Sequence, residues 1–524
     1  MTDTRAIGSV WAEILRQCHR VPDRTAVVVG ARSLTFRELD SASAALAGQL
    51  VAAGVRPGQV VLIHQRQSID TVVGLIAALR SGAAWCVIEP GHPAEQLRAL
   101  LGAIDCGAIV YTSDDQATSS ETVEALARVS RGDPPVALDI AHLPEPTGAV
   151  PLPDEVPPGT AAYVVTTSGS TGVPKAVVVT RANLVSMVAG RDYEFDESTL
   201  VTFSAFRLTW DGALLMTLWA LCVGGTSVLP DDRGLRDAEA VAGLALRWHT
   251  THLVATPSFY RLLLPHLAAV RMHLQGVTLA GEPLPRTLVL RHRAVLPGIA
   301  LRNEYGPTET TVSCLAHSVD EVPESIAPIG RPLGSTSAHV LDAKFTPAPP
   351  GTIGDLYLGG PQISEGYADR PAATAVRFVA DPFTELAGAR MYHTGDLARV
   401  NPNGDIEFCG RVDGQVKVRG ARVERHAVEA VLESHPAVRQ AVVLATPNEY
   451  DENVLTAFWV PAAATTVLPT TRDLLAFCAE RLVAQSVPEQ FVALGALPLA
   501  PSSKVDEGAL RTLLPGAGRD GGHG

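Results

Sequence analysis

Short β-rich apolar runs alternate with helical patterns along nearly the whole chain, and this alternation constrains the fold more than any other feature. Val60-Val-Leu-Ile-His64, Ala84-Trp-Cys-Val-Ile88, Ala108-Ile-Val-Tyr111 and Ala162-Tyr-Val-Val-Thr166 read as strands. Between the first two lies a helical stretch, Ile69–Arg80, closed by Gly82. Strands separated by helices predict βαβ units and a parallel sheet. With 524 residues the chain has room for two to four domains. Hydrophobic residues make up 46%, enough for a large core and incompatible with wholesale disorder. Aromatics are only 5%, so Ala, Val and Leu must fill most of the interior.

Forty-two basic residues against 55 acidic ones leave a net charge of −13, which argues against a sequence-blind nucleic-acid binder or an anionic-membrane binder. The seven cysteines (18, 86, 106, 222, 314, 409 and 478) are scattered and form no CxxC pair. That spacing argues against a disulfide framework or a thiolate zinc site and predicts buried small hydrophobes. The N-terminus carries acids and has no apolar run of signal-peptide type. The stretch ALLMTLWALCVGG (213–225) is too short to span a bilayer, so a cytoplasmic location is the expectation.

The composition changes after about residue 350. PAPPGTIGDLYLGG reads as a turn-rich β segment and NPNGDIEFCGRVDGQVKVRG as a hairpin. A helix from Arg425 to Ser434, strands Gln440–Ala445 and Leu455–Val460, and a helix Thr471–Leu482 follow, giving a compact α+β unit from about residue 412. The tail PGAGRDGGHG has nothing to bury and is expected to be disordered.

The segment Thr166-Thr-Ser-Gly-Ser-Thr-Gly-Val-Pro-Lys175 carries the most chemistry. It follows a strand and offers free backbone N–H groups and rotatable hydroxyls suited to wrapping a polyphosphate, with Lys175 as a point charge. It is not a Walker loop, because Gly169 and Gly172 are three apart and Val173-Pro174 intervene before the lysine. Pro174 also prevents a helix from running straight out of the loop.

This loop resembles the signature loop of the ANL adenylate-forming superfamily, which includes acyl-CoA synthetases, luciferases and peptide-synthetase adenylation domains. Other motifs of that family follow in order: Leu34-Thr-Phe-Arg-Glu-Leu39, Leu79-Arg-Ser-Gly-Ala-Ala-Trp-Cys-Val-Ile-Glu-Pro90, Asn303-Glu-Tyr-Gly-Pro-Thr-Glu309, Gly354–Gly360 with Gly366-Tyr367, Tyr392–Leu397, Gly410–Gly420 and Ser502–Asp506. The resemblance is greatest to freestanding amino-acid adenylation domains of nonribosomal peptide synthesis. It implies an α/β fold. A large N-terminal lobe of parallel and mixed sheets wrapped by helices, with a β-barrel-like subdomain, would span residues 1–411. A small mobile α+β lid would span 412–524, hinged near Asp413.

The resemblance also implies site roles. ATP would be held by Thr167, Ser168, Gly169, Ser170, Thr171, Gly172, Lys175, Gly281, Glu282, Pro283, Asn303, Glu304, Tyr305, Gly306, Thr308, Asp396 and Arg411. Within that set Tyr305 would stack on adenine, Asn303 would meet the base edge and Asp396 would take the ribose hydroxyls. Glu309 would be the magnesium-side carboxylate, and Lys504 would touch both the substrate carboxylate and the α-phosphate, with Glu309, Lys504 and Thr171 as the catalytic set. The implied reaction uses ATP and Mg²⁺ to form an aminoacyl-adenylate and then a thioester on the phosphopantetheine thiol of a peptidyl carrier protein in trans. The context would be secondary-metabolite (antibiotic) biosynthesis, and some members need an MbtH-like helper protein.

The substrate pocket would be lined by Trp210, Asp211, Gly212, Leu215, Val254, Thr278, Ala280, Glu304, Val312, Ser313 and Lys504. Asp211 precedes an apolar helix and would also make a good N-cap. A desolvated α-ammonium, however, needs a carboxylate partner, and amino-acid-activating members carry Asp here. A roomy apolar slot with a polar end suits tyrosine or another large hydrophobic amino acid. Two alternatives stand beside this reading: an acyl-CoA ligase using free CoA, and a catalytically inactive ATP-binding partner protein. Departures from the family pattern are Ser503 before the lysine, Ala176 after the signature loop, Trp210 for the usual Phe, and a weak Leu482–Pro488 segment.

Overall fold

The computed structural model describes the chain except for residues 1–7, 116–119, 129, 131–132, 144–150, 154, 168–174, 233, 413–415, 449–452, 463–467, 499–504 and 515–524. The glycine-rich tail therefore lies outside the described residues. The chain divides into two compact units. One comprises Met1–Gly91, Leu100–Thr166 and Ala176–Val412, the other His92–Ala99, Thr167–Lys175 and Asp413–Gly524.

Two large sheets and a smaller one build the first unit. A nine-stranded sheet has parallel central strands, Val201–Ser204, His252–Ala255, Gly276–Ala280 and Ala300–Tyr305 among them. Leu315–Ser318 adds antiparallel at one side, next to Ala300–Tyr305. A seven-stranded sheet contains Val60–His64, Ala84–Ile88, Cys106–Tyr111, Ala161–Thr167 and Lys175–Thr180, and so includes the apolar runs that predict a parallel sheet. The third sheet is five-stranded and largely antiparallel; it includes Gly354–Gly359, Arg390–Val400 and Ile406–Arg411.

Local chemistry sets the helix starts. Ile69–Arg80 begins at Ser68, whose Oγ accepts from the Thr71 N–H while the Thr71 hydroxyl accepts from the Ser68 N–H. Phe36–Ala52 begins with the same reciprocal arrangement between Thr35 and Glu38. The helix Leu214–Val223 is apolar all round and correspondingly buried at every position but its last. Its Trp219 meets Tyr193 edge-on at 4.8 Å and Phe195 at 5.0 Å. Gly224, at φ +81°, ends it in the left-handed conformation that suits glycine.

The second unit is α+β. A hairpin of Val416–Val418 and Ala421–Val423 leads into the helix Arg425–Glu433, and a three-stranded sheet is formed by Val438–Pro447, Asn453–Pro461 and Gln490–Ala493. The helix Thr471–Ala479 carries Leu474 and Cys478 into a core with Val443, Ala457 and Trp459.

All seven cysteines are free thiols, six buried and Cys409 half-buried. Burial pushes the Cys106 and Cys314 thiols up to about 12. Among the described residues no helix is long and apolar enough to cross a membrane.

Candidate active site

Strand register gathers the candidate residues. Ser204, Val254, Thr278 and Arg302 lie in one row across four parallel strands, and Ala280, Glu304 and Ala316 in the next. Residues in register share a sheet face, so Val254, Thr278, Ala280 and Glu304 face one way and Asn303 and Tyr305 the other. Val254, Thr278 and Leu215 are all at most 3% exposed.

Asp211 does not cap the apolar helix. It starts a short 3₁₀ turn, Asp211–Ala213, and the helix's own cap position is Ala213, which makes no side-chain cap bond. The residue keeps some solvent contact, but its Oδ2 atom is buried with no hydrogen-bond partner. Burial raises the carboxyl pKa to about 6; the Glu309 charge pushes the same way, while a bond from Thr308 opposes them. The Tyr163 hydroxyl is likewise buried and unpartnered, and its own pKa is driven upward by burial and by the Asp211 charge. Tyr163 escapes a reading of the sequence, where its only signal is a tyrosine in an otherwise apolar strand.

Glu309 sits in the 3₁₀ turn Thr308–Thr310 and is 1% exposed. Tyr367 Oη donates to its Oε1 at 2.7 Å, and the Ser364 N–H donates to its carbonyl at 2.9 Å. The turn is strained, since Thr311 (φ +56°) and Val312 (φ +72°) are consecutive β-branched residues in left-handed backbone. Gln362, fully buried, fastens it. Its amide nitrogen donates to the carbonyls of Thr310, Thr311 and Ser313 at 3.0–3.3 Å, and its main-chain carbonyl accepts from Thr311 Oγ1 at 2.7 Å. A Cβ on Gly306 would fall 2.5 Å from the Val312 carbonyl oxygen, so only glycine fits there. Gln362 has no sequence signal, and although Tyr367 stands in the Gly366-Tyr367 motif, its bond to Glu309 joins positions that no spacing links.

On the opposite sheet face, Tyr305 Oη donates to Asp396 Oδ2, and Arg411 Nη1 donates to Asp396 Oδ1. Arg411 Nη2 also reaches the Thr394 carbonyl at 3.2 Å. Asn303 donates its amide to the Pro328 carbonyl at 2.7 Å. Glu282 accepts from Ser258 N–H at 2.9 Å and Ser258 Oγ at 2.8 Å at the start of the helix Pro257–Leu263, and so helps cap that helix. Gly281 precedes it at φ +90°.

Glu304 departs from expectation. Its carboxylate is fully buried and accepts from Arg191 Nη1 (2.8 Å), Tyr193 Oη (2.6 Å) and Ser313 Oγ (2.7 Å), with Arg302 Nε at 3.0 Å. It points away from the face of Asn303 and Tyr305, and its lone pairs are committed. The carboxylate itself is thus bound within the protein, which differs from the free polar atom expected of it. Ser313 likewise spends its hydroxyl proton on Glu304.

Of the remaining candidates, Thr167 ends the strand Ala161–Thr167 and Lys175 begins Lys175–Thr180. Ser168, Gly169, Ser170, Thr171, Gly172, Asp413 and Lys504 lie outside the described residues. An open groove of about 470 Å³ lies at the N-terminal ends of the parallel strands, beside Thr226, Thr251 and Gln275, and contains none of the candidate residues. The candidates instead cluster towards the carboxyl ends, where parallel α/β sheets bind ligands.

A profile described as AMP-binding enzyme matches residues 14–368, and one described as AMP-binding enzyme C-terminal domain matches residues 427–504. The chain is 36% identical over 507 residues to the phosphinothricin tripeptide synthetase PhsC of Streptomyces viridochromogenes, covering 96% of this chain and 45% of that one. It is 34% identical over 499 residues to tyrocidine synthase 3 of Brevibacillus parabrevis, covering 94% of this chain and 7% of that one. The chain thus spans less than half the length of these relatives. Its structure matches that of holo-PA1221, described as an NRPS protein containing adenylation and PCP domains, with a TM-score of 0.84 and 26% identity over 97% of this chain and 84% of that one. Two family profiles in order, relatives of one kind and the fold together place this chain in the AMP-binding enzyme family, as an ATP-dependent adenylate-forming ligase of the ANL superfamily and of the nonribosomal peptide synthetase adenylation-domain type.

Proposed function

We propose that the chain adenylates an α-amino acid and passes the aminoacyl group to the phosphopantetheine thiol of a peptidyl carrier protein on a separate chain. One observation supports the amino-acid part above the others: the buried, unpartnered Oδ2 of Asp211. A carboxylate in that position is costly without a cation, and an α-ammonium supplies both the charge and the donors. Thr308 would then hold one carboxylate oxygen while the ammonium takes the other.

The nucleotide would lie on the side of Tyr305, whose ring would stack on adenine. Asp396, held by Tyr305 and Arg411, has the two acceptor oxygens that ribose hydroxyls require. Glu309 is the residue that would hold Mg²⁺, a hard cation commonly bound by one or two carboxylates together with substrate phosphates. When bound, the ion would neutralise phosphate charge during attack on the α-phosphorus. Tyr367 would orient Glu309 for that task. From the family resemblance, Thr171 and its loop would wrap the phosphates, Lys504 would meet the developing charge, and Asp413 would act as the hinge of a C-terminal lid.

Tyrosine, or a similar large uncharged amino acid, is the leading substrate. PA1221, which joins adenylation and PCP domains, and the peptide-synthetase names of the relatives support a carrier-bound thioester in secondary metabolism. Cytoplasmic location and an MbtH-like helper belong to the same reading. The test is substrate-dependent pyrophosphate exchange across proteinogenic amino acids, with Lys504→Ala in parallel. Exchange led by tyrosine, and lost in Lys504→Ala with modest change in ATP binding, is expected. A small or charged amino acid that outpaces every aromatic one would refute the substrate assignment.

A further inference from the structure

Between the strand Val201–Ser204 and the short turn that begins at Asp211, the chain leaves the nine-stranded sheet and runs beyond its carboxyl end. The Ala205 N–H still reaches the Val254 carbonyl at 2.9 Å, and the Trp210 N–H turns back to the Arg207 carbonyl at 2.9 Å. The Phe206 ring folds over the end of this stretch: it lies 5.9 Å from the Trp210 ring, and a Cβ on Gly212 would meet it at 3.5 Å. Beyond the bond from Thr308, the Asp211 carboxylate is placed by the backbone that carries it, since its Oδ2 has no partner. Whatever holds residues 206–210 therefore aims Asp211.

Two side chains hold this stretch from outside. Gln67 is buried; its Oε1 accepts from the Leu208 N–H at 2.7 Å and its Nε2 donates to the Pro230 carbonyl at 2.6 Å. Gln67 directly precedes Ser68, the cap of Ile69–Arg80, so its own backbone is fixed by that helix start. Leu208 is buried as well, and without Gln67 its N–H would be a buried donor with no acceptor. Arg207 Nη1 donates to Glu89 Oε1 at 2.8 Å and to Asp232 Oδ1. Glu89 follows the strand Ala84–Ile88 of the seven-stranded sheet, and Pro230 and Asp232 follow Thr226–Leu229 of the nine-stranded one. One segment is thus tied to the carboxyl ends of both sheets. Neither Gln67 nor Arg207 is a lining position of the proposed pocket.

We propose, resting on the amino-acid-activation reading, that Gln67 is a positioning residue for recognition of the substrate amino group. With Arg207 it straps residues 206–210 to the carboxyl ends of two sheets, and the strap fixes where the Asp211 carboxylate meets the α-ammonium. A misplacement of about 1 Å is enough to cost a recognition group most of its effect. A substrate without an amino group makes no use of Asp211, so the strap matters little to it.

The experiment measures pyrophosphate exchange with tyrosine and with its des-amino analogue, 3-(4-hydroxyphenyl)propanoate, for wild type, Gln67→Met, Asp211→Asn and the double variant. The quantity read is the ratio of kcat/KM for the two acids. Gln67→Met keeps the side-chain length and removes both hydrogen bonds. It is expected to lower the ratio about tenfold, chiefly through KM for tyrosine, while kcat/KM for the analogue changes less than about twofold. In the Asp211→Asn background the same substitution is expected to leave the ratio unchanged, because the group it aims is gone. Arg207→Gln reaches the segment through a partly exposed side chain and serves if Gln67→Met does not fold; a ratio lowered about threefold is expected. A ratio unchanged in both Gln67→Met and Arg207→Gln, even where both acids slow together, overturns the proposal, as does a loss of about tenfold that persists in the Asp211→Asn background. A wild type that uses the two acids equally overturns the reading itself, and the proposal with it.

Discussion

Two carboxylates on the same unit differ in how they are satisfied. Glu304 has Arg191, Tyr193 and Ser313 within hydrogen-bond distance and Arg302 beside it; Asp211 leaves one buried oxygen with no partner at all. The pKa of Asp211 is pushed up to about 6, the mark of a charge that the protein alone does not neutralise. The first carboxylate is completed by the fold and shapes a wall. The second is the one that the proposed amino-acid substrate would complete. Incomplete satisfaction, rather than the presence of an acid, is what marks a ligand position.

The sharpest way to break this contrast is Asp211→Asn. We expect a loss of amino-acid-dependent exchange of about a hundredfold or more, with ATP binding retained, because only the ammonium partner is removed. Exchange kinetics and nucleotide titration check it. The same substitution should stabilise the protein. With its native carboxyl near 6, against an ordinary value of 3.8, the folded state holds a proton that the unfolded chain releases between those values. Stability therefore falls as pH rises from about 4 to 6 and is flat above. By linkage the size is on the order of 3 kcal/mol. Urea unfolding at pH 4 and pH 7 should show this slope in wild type and not in Asp211→Asn. A binding counterpart follows: KM for the amino acid should rise below about pH 6, as protonation of Asp211 removes its charge.

A smaller effect is expected at Tyr367→Phe, which deletes a hydroxyl donor to Glu309 while keeping the ring. Exchange should drop about tenfold with a higher Mg²⁺ requirement, while Tm moves little; a metal titration of exchange reads it. Gln362→Ala should act mainly on stability. It removes the amide shared by the Thr310, Thr311 and Ser313 carbonyls, the last of which keeps Arg191, and releases a strained turn, at a cost of about 2–3 kcal/mol in urea unfolding.

The elements with clear periodicity are legible in the sequence. Ile69–Arg80, Val60–His64 and Ala84–Ile88 fall where their apolar patterns end, because capping serines and glycines punctuate them locally. The candidate residues Glu309, Tyr305 and Asp396 stand in motifs that the sequence shows in order, and Asp211 is a lining position implied by the resemblance. Their partners are not legible. Tyr193 and Glu304 are 111 positions apart, Tyr367 and Glu309 are 58, and no one-dimensional spacing announces either pair. Glu304 illustrates the difference: its motif places it at the pocket, but only the fold shows that arginines have already claimed its charge. Asp211 errs in the other direction. In sequence it resembles an N-cap, and only the structure shows the helix starting three residues later.

If Asp211 awaits the α-ammonium of an amino acid, the most direct test compares tyrosine with its des-amino analogue, 3-(4-hydroxyphenyl)propanoate, in adenylation by wild type and Asp211→Asn. Wild type should favour tyrosine by about a thousandfold or more, and Asp211→Asn should erase most of that preference. Equal use of the two acids by wild type would contradict that role for Asp211.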